Sequence, residues 1–393
     1  MAKRNDNLEK REKRIEDKPR VYENIQERTD SSGERVILIK KLVKSNLIIP
    51  FFGLLLIFLF NLITNPGFFR VVTTVNNAGN TVLSGNIISI LDNASELAIL
   101  ALGMTLVTAA SGGQDISVGA GIAIAGGVML RVLCGDQVAP ELMQAPIVAA
   151  LLAGCIVAML FGAFNGALVS IFKIQPMVAT LILYTAGRYI AYWINGGVLP
   201  IVSEPQFKYF GNFIPGVPVP TPVFITTVCM IIMALALKFT NLGLYTQAVG
   251  INERSARLNG INPVFIKFLA YVIMGLCVAV SAFIKVSRNA TINHTTIAAD
   301  IEMDAILAVA IGGNALGGGK FSMSGSVIGA YTIQALMTTL YAAGVGSDSL
   351  KAFKAIVIVI IVVVSSPVVK NMFSKIVSDC TASTTSAATK ENR

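Results

Sequence analysis

Long apolar runs recur along this sequence of 393 residues, and they constrain its fold more than any other feature. A helix of about 17 to 25 apolar residues crosses the hydrocarbon core of a bilayer, roughly 30 Å thick. The runs are continuous and do not alternate with polar residues, which disfavours a barrel of strands. Only 13% of the residues are charged, far fewer than in a soluble domain. The sequence therefore predicts an all-α, polytopic helical membrane protein.

Hydropathy and helix-breaking residues together predict about ten spans, which form a permease domain over residues 47–370. A charged N-terminal tail, 1–46, and a C-terminal tail, 371–393, flank this domain. The eighth span is too short to cross the hydrocarbon core, so we predict a short or broken helix buried in protein. The predicted spans are 47–64, 87–110, 117–134, 145–172, 177–195, 222–239, 263–285, 303–313, 326–344 and 351–370.

Lysine and arginine in short loops stay on the cytoplasmic side of a membrane, so their positions predict orientation. If the basic N-terminal tail is cytoplasmic, the order of spans places Lys173, the 240–262 loop, Lys320 and the C-terminal tail there too. We therefore expect both termini in the cytoplasm. Four cations depart from the rule and fall near the outer face: Lys285, Arg288, Lys351 and Lys354.

The charged N-terminal tail and the cysteines bear on possible partners and metals. The tail mixes both signs of charge and lacks the aromatic or zinc patterns of nucleic-acid binding proteins. We expect it to contact anionic membrane lipid, and we expect no nucleic acid. The five cysteines stand singly, without metal-ligand or disulfide spacing, so we predict no metal site.

No catalytic motif is recognisable. His294 is the single histidine, and the sequence lacks H-E-x-x-H, G-x-S-x-G and CxxC patterns. The glycine-rich stretch AVAIGGNALGGGKFSMSG, Ala308 to Gly325, is not a phosphate-binding loop, because Lys320 is followed by Phe321 where that loop needs Ser or Thr. We therefore predict that the chain is not an enzyme and binds no cofactor itself.

Polar residues inside the spans are the strongest pointers to function, because a charge at the bilayer centre costs roughly 2.5 kcal/mol or more. For Glu302 and Asp304, the alternative to a functional role is a position at the interface between membrane and water. Arg188 stands among aromatic residues that include Trp193. Two roles are therefore compatible with the sequence, an anchor at the membrane interface and a residue that lines the substrate path. The polar candidates are Asp92, Asn93, Glu96, Gln114, Asp115, Asn165, Arg188, Glu302, Asp304 and Gln334.

Small residues mark close helix contacts and helix breaks. Three G-x-x-x-G patterns, which begin at Gly162, Gly313 and Gly325, predict close packing of helices in the membrane. The stretches from Ser111 to Gly121 and from Ala308 to Gly325 each join two apolar helices through paired glycines. Broken helices at membrane depth often lie along a substrate route, and we expect the same of these two.

Four stretches carry a family likeness: LALGMTLVTAASGGQDISVGAG, FGAFNGALVSIFKIQPMVATLILYTAGR, AVGINERSARLNGIN and EMDAILAVAIGGNALGGGKFSMSGSVIGA. In this order, over about residues 85 to 345, they resemble the permease subunits of bacterial ABC importers for monosaccharides. Within the ribose, galactose, xylose and galactofuranose group, the galactofuranose and ribose types look most similar. Gln114 and Ser255 depart from the family pattern, which usually has an apolar residue and an alanine at these positions.

The resemblance implies a bacterial inner-membrane permease that works with other subunits. An ATPase subunit, which carries the ATP and Mg²⁺, docks on the cytoplasmic side, and an extracytoplasmic binding protein delivers the sugar. The permease pairs with itself or with a sister permease, as a homodimer or heterodimer. The 240–262 loop would couple it to the ATPase through residues that match the family's cytoplasmic motif and its neighbours: Gly250, Asn252, Glu253, Arg254, Ala256, Arg257 and Gly260.

We therefore predict a permease that moves a small neutral sugar into the cytoplasm by alternating access. A neutral polar substrate needs groups that pair with hydroxyls, together with aromatic faces. The residues expected along its path are Asp115, Asn165, Arg188, Trp193 and Gln334. The alternative is an ion- or proton-coupled secondary transporter whose coupling carboxylates are Asp92, Glu96 and Asp304, and a passive channel is a third possibility.

Overall fold

The structure, a computed structural model, describes residues 48–75, 81–346, 349–356 and 359. All of them except Ile48 belong to one compact unit. The two charged tails and most of the tenth predicted span lie outside the described residues. Each of the first nine predicted spans contains a helix, which confirms the helical fold class.

The helices follow the predicted spans closely. Four of them, Asn86–Ser111, Ile147–Ser170, Thr221–Phe239 and Pro263–Asn289, are both long and apolar enough to cross a membrane. In chain order the helices are α1 (Ile48–Thr64), α2 (Asn86–Ser111), α3 (Val118–Cys134), α4 (Ile147–Ser170), α5 (Pro176–Ile194), α6 (Pro205–Lys208), α7 (Thr221–Phe239), α8 (Leu242–Ile251), α9 (Glu253–Leu258), α10 (Pro263–Asn289), α11 (Ile301–Ile311) and α12 (Met323–Ala342).

Two features refine the prediction. α11 has 11 residues and rises only about 16 Å, so it cannot cross the hydrocarbon core, as expected for the eighth span. Between α1 and α2, a 3₁₀ helix (Pro66–Phe69) leads into an antiparallel hairpin of β1 (Val72–Val75) and β2 (Thr81–Ser84). The sequence analysis did not predict this hairpin, because its strands of four residues are too short to show a period.

Helix ends follow local capping chemistry. α2 ends at Gly112, whose φ of 67° is the left-handed conformation that glycine adopts at low cost. α10 begins with Pro263, and the side-chain oxygen of Asn262 accepts hydrogen bonds from the backbone of Val264 and Phe265. The hydroxyl of Ser322 accepts from Gly325 N at 3.2 Å and caps α12 in the same way.

α10 is the central helix and packs against α2, α3 and α4. A Cβ added to Gly162 of α4 would lie 2.3 Å from the carbonyl oxygen of Tyr271, and one added to Gly275 would lie 2.3 Å from that of Ala158. The two backbones therefore touch where α4 and α10 cross. This contact confirms the packing predicted for the Gly162 pattern.

The other two glycine patterns have different outcomes. Gly325 and Gly329 let α12 approach α11, because an added Cβ would lie 2.2 Å from Gly312 O and 2.1 Å from Ala308 O, respectively. The prediction of helix packing for the Gly313 pattern is wrong, because both of its glycines lie in the loop between α11 and α12. Gly313 has a positive φ of 79°, which suits a turn and not a helix.

The loops predicted to be cytoplasmic meet at one end of the helices, called the Lys320 end. There Gly319 N donates to Ala109 O at 3.0 Å, and Gly250 packs against the same carbonyl. Lys173 and Glu253 line a common cavity there. The opposite end, called the Arg288 end, joins Ile201 to Thr291 through a β-bridge. The predicted grouping of loops is thus observed, while the side that faces the cytoplasm stays a prediction.

Replacing Gly162 with alanine tests the α4–α10 contact. The added methyl group overlaps the Tyr271 carbonyl, so we expect the free energy of unfolding to fall by about 1 to 3 kcal/mol. Thermal unfolding of the purified protein in detergent measures this change. Gly317→Ala is the matched control, because an added Cβ there meets no described atom within 4 Å. Equal midpoints for both variants would contradict the packing.

Candidate functional site

A polar cavity of about 390 Å³ opens at the Arg288 end. α2, α10, α11, α12 and the loop before α11 enclose it, and its size falls within the range of small-molecule sites. Gln334, one of the five residues predicted along the substrate path, lines this cavity. Its polar and aromatic lining is Asn93, Glu96, Lys285, Thr296, Asp304, Gln334 and Tyr341.

Every charged side chain that lines the cavity has a partner of opposite charge. Lys285 Nζ lies 2.7 Å from Glu96 Oε2, and Arg288 Nη1 lies 3.2 Å from Glu96 Oε1. Lys354 pairs with Asp304. Because these charges are neutralised locally, the cavity offers a neutral ligand hydrogen bonds without a fixed excess charge.

Ion pairs explain three of the four cations that depart from the predicted orientation. Lys285, Arg288 and Lys354 bind the carboxylates of Glu96, Asp92 and Asp304, respectively. Lys351 also pairs at this end, with Asp300 at 2.7 Å, but both side chains are exposed and this pair does not explain its position. A cation that is paired inside the protein no longer reports the side of the membrane as a free loop cation does.

Arg188 fixes the wall of the cavity. Its Nη1 donates to the carbonyl oxygens of His294 and Ile297 at 3.0 and 2.9 Å, and so it holds the loop between α10 and α11. Ala298 and Asp300 in this loop have positive φ angles of 50° and 65°, which non-glycine residues rarely adopt. Arg188 therefore clamps a strained loop, a role that neither sequence interpretation anticipated.

The other predicted path residues lie away from the cavity. Trp193 is 80% exposed on the outer surface of α5. Asp115 and Asn165 are buried together near the Lys320 end, where both bind Ser117. The structure thus brings Asp115 and Asn165 together, but it does not join them to Gln334 or Trp193.

The glycine-rich loop between α11 and α12 is organised by a residue that the sequence analysis did not select. Asn314 donates from Nδ2 to Val309 O at 3.0 Å and to Ser326 Oγ at 2.7 Å. Ser326 Oγ lies 2.6 Å from Thr105 Oγ1 of α2. This network ties the loop to the start of α12 and to α2. The asparagine between a pair and a run of three glycines was a signal that could have identified it.

The predicted coupling residues form a compact helical corner at the Lys320 end. An added Cβ on Gly250 would lie 1.9 Å from Ala109 O, so α8 lies directly against α2. Asn252 Oδ1 accepts from Ser255 N at 3.0 Å and caps α9. Ala256 is buried, and Gly260, with φ of 80°, ends the corner. These residues fix the position of α9.

The remaining coupling residues face outward. Glu253 binds Lys267 at 2.7 Å, and this hydrogen bond holds the pKa of Glu253 below its usual range. Arg254, Arg257 and Lys173 line a cavity of about 530 Å³ beside α9. Next to them, Leu258 is 89% exposed. The corner therefore presents cations and one apolar side chain on a fixed helix.

Comparison with known proteins shows which family the chain matches. A family model described as branched-chain amino acid transport system / permease component matches residues 86–365. The galactofuranose transporter permease protein YtfT of Escherichia coli is 39% identical over 320 residues, 80% of this chain and 88% of that protein. The fructose import permease protein FruF of Bifidobacterium longum is 33% identical over 339 residues, 85% and 91% of the two chains. The ribose import permease protein RbsC of Escherichia coli is 35% identical over 284 residues, which are 72% of this chain and 85% of that protein.

These matches confirm the resemblance inferred from the sequence. The family match begins at the first residue of α2 and extends past α12, so it includes both the cavity and the α8–α9 corner. All three relatives are named as permeases for sugars. The chain therefore belongs to the family of ABC-importer permease components and is a polytopic helical membrane protein.

Proposed function

We propose that the chain is the permease of an ABC importer that carries a monosaccharide into the cytoplasm. The observation that carries this proposal is the similarity, over most of the chain, to permeases named for galactofuranose, fructose and ribose. The cavity at the Arg288 end suits such a substrate, because a neutral sugar requires hydrogen-bonding groups and no unpaired charge. The chain hydrolyses nothing itself.

The subunits of the importer would meet this chain at its two ends. The α8–α9 corner would receive an ATPase subunit, which binds ATP and Mg²⁺, and the Arg288 end would receive the sugar-binding protein. A second permease, identical or a sister, would complete the pathway in the inner membrane. Both chain termini would then be cytoplasmic. Closure of the ATPase would switch the permease between a state in which the cavity opens outward and a state in which it opens to the cytoplasm. Transport would be driven because the closed ATPase contacts one of these states more favourably than the other.

The ion-coupled alternative finds less support in the geometry. Its three proposed coupling carboxylates, Asp92, Glu96 and Asp304, all bind lysine or arginine side chains. A carboxylate that carries an ion through a transport cycle must release its partner, and salt-bridged carboxylates at one end of the helices are poorly suited to that task.

Reconstitution distinguishes the two transport classes. The purified permease, placed in vesicles with its candidate ATPase and sugar-binding protein, should take up sugar only when ATP and both partners are present. Uptake of radiolabelled galactofuranose, fructose or ribose measures the activity. Sugar accumulation driven by a sodium or proton gradient without ATP would refute the importer proposal, and passive flux without a binding protein would indicate a channel.

Gln334 tests the role of the cavity. Gln334→Leu keeps a similar volume but removes one amide, so we expect sugar uptake to fall by about 3- to 10-fold, the worth of a single hydrogen bond. Met337→Leu, another lining residue, changes no polar group and serves as the control. If the two variants transport sugar equally well at equal expression, the sugar does not contact Gln334.

Arg254 tests the proposed ATPase contact. Charge reversal in Arg254→Glu should lower co-purification of the ATPase and ATP-driven uptake at least about 5-fold, since opposed charges at an interface destabilise binding. Thermal unfolding of the permease alone should stay unchanged, because Arg254 is exposed. Lys208→Glu, an exposed reversal at the opposite end, is the control for ATPase co-purification. Normal assembly and uptake by Arg254→Glu would argue against the contact.

A further inference from the structure

Asp115 is a buried carboxylate that lacks a basic partner. It lies between α2 and α3 and is only 3% exposed. Its Oδ1 accepts two hydrogen bonds from one residue, from Ser117 N at 2.8 Å and Ser117 Oγ at 2.6 Å. No lysine, arginine or histidine of the described residues forms an ion pair with it, in contrast to Asp92, Glu96 and Asp304 at the Arg288 end. A negative charge buried in this way requires a positive partner or a proton.

Asn165 adds an acceptor that is also without a partner. The Ser117 hydroxyl donates its single hydrogen to Asp115, so toward Asn165 it can only accept. The donor is therefore Asn165 Nδ2, which lies 2.8 Å away. This requirement fixes the orientation of the amide. Asn165 Oδ1 is thereby left fully buried without a hydrogen-bond donor among the described residues. A buried acceptor of this kind usually has a water molecule or an ion as its partner.

Tyr271 brings a third oxygen to this region. Its side chain on α10 is fully buried, and its hydroxyl has no hydrogen-bond partner among the described residues. Tyr271 packs beside Asn165, because a Cβ added to the next residue, Gly166, would lie 3.1 Å from Tyr271 Cβ. The break between α2 and α3 thus contributes one buried carboxylate, and the adjoining α4 and α10 contribute two buried neutral oxygens without partners among the described residues.

We propose that Asp115, Asn165 and Tyr271 bind a single alkali-metal cation, with Na⁺ as the best candidate. The oxygens of a carboxylate, an amide and a hydroxyl are hard ligands that suit such an ion, whereas the site offers no thiolate or imidazole. One carboxylate neutralises one positive charge, so a divalent ion would leave an excess charge inside the membrane. Unwound backbone between two half-helices coordinates cations in other transporters through its carbonyl groups.

Ser117 is a positioning residue in this arrangement. It holds the Asp115 carboxylate through two hydrogen bonds and sets the orientation of the Asn165 amide. The ion would brace the broken helix where Gly113 packs against Pro176 at the start of α5. The sequence predicted no metal site, because a site with one carboxylate and neutral oxygens has no spacing signature. The inference does not depend on the transported substrate.

Direct binding of Na⁺ to the purified full-length permease tests the proposal. We expect saturable binding of radioactive sodium, one ion per chain, measured in detergent without ATPase, binding protein or sugar. Saturating NaCl should raise the thermal unfolding midpoint by roughly 5 °C over choline chloride at equal ionic strength. Because no transport is measured, a failure here leaves the proposed function untouched.

Variants locate the ion. Asp115→Asn should abolish sodium binding, and Tyr271→Phe, which removes one oxygen, should weaken it roughly 10-fold. Asp92→Asn removes a carboxylate that is paired with Arg288 and should leave sodium binding unchanged. Absence of saturable binding to the parent protein, or normal binding to Asp115→Asn, would overturn the proposal. If the unfolding midpoint responds to pH but not to Na⁺, the carboxyl is protonated and the cation is excluded.

Discussion

The backbone contact between α4 and α10 is the interaction on which the rest of the structure depends. In a membrane, apolar side chains gain nothing by leaving lipid for one another, so helices associate through close packing and hydrogen bonds. Gly162 and Gly275 remove the side chains that would separate the two backbones. α10 is thereby fixed in the middle of the bundle, where its length carries Lys285 and Arg288 to their partners on α2.

The spans could be predicted because each depends on local composition, whereas the ion pairs could not. Hydropathy located α2 and α10 to within a few residues, except that α10 continues to Asn289. Arg288 lies 196 positions from Asp92 in the sequence, and nothing in the local pattern of either residue indicates the other. Their pairing depends on which helices touch, so the sequence analysis left Arg288 beyond its predicted span without a partner.

The candidate site was predicted only in part, for a similar reason. Gln334 stood out because an amide within an apolar span is costly unless it faces a cavity, and it does line one. Trp193 was selected by its neighbours in sequence, yet no residue of α5 lines the cavity and the Trp193 side chain is 80% exposed. Arg188 donates to backbone carbonyls of a loop more than 100 positions away. Every residue has such a carbonyl, so the sequence does not indicate which ones accept.

α10 joins the two ends of the molecule without a break. It starts at the Asn262 cap beside α9, where Lys267 binds Glu253, and it ends beyond Arg288 at the cavity. Its 27 residues rise roughly 40 Å, about the thickness of a bilayer with its interfaces. A continuous helix moves nearly as a rigid body, so a shift imposed on α9 would reach Lys285 and Arg288. Both cations hold Glu96 in the cavity wall, so a shift of α10 would also displace the wall of the cavity.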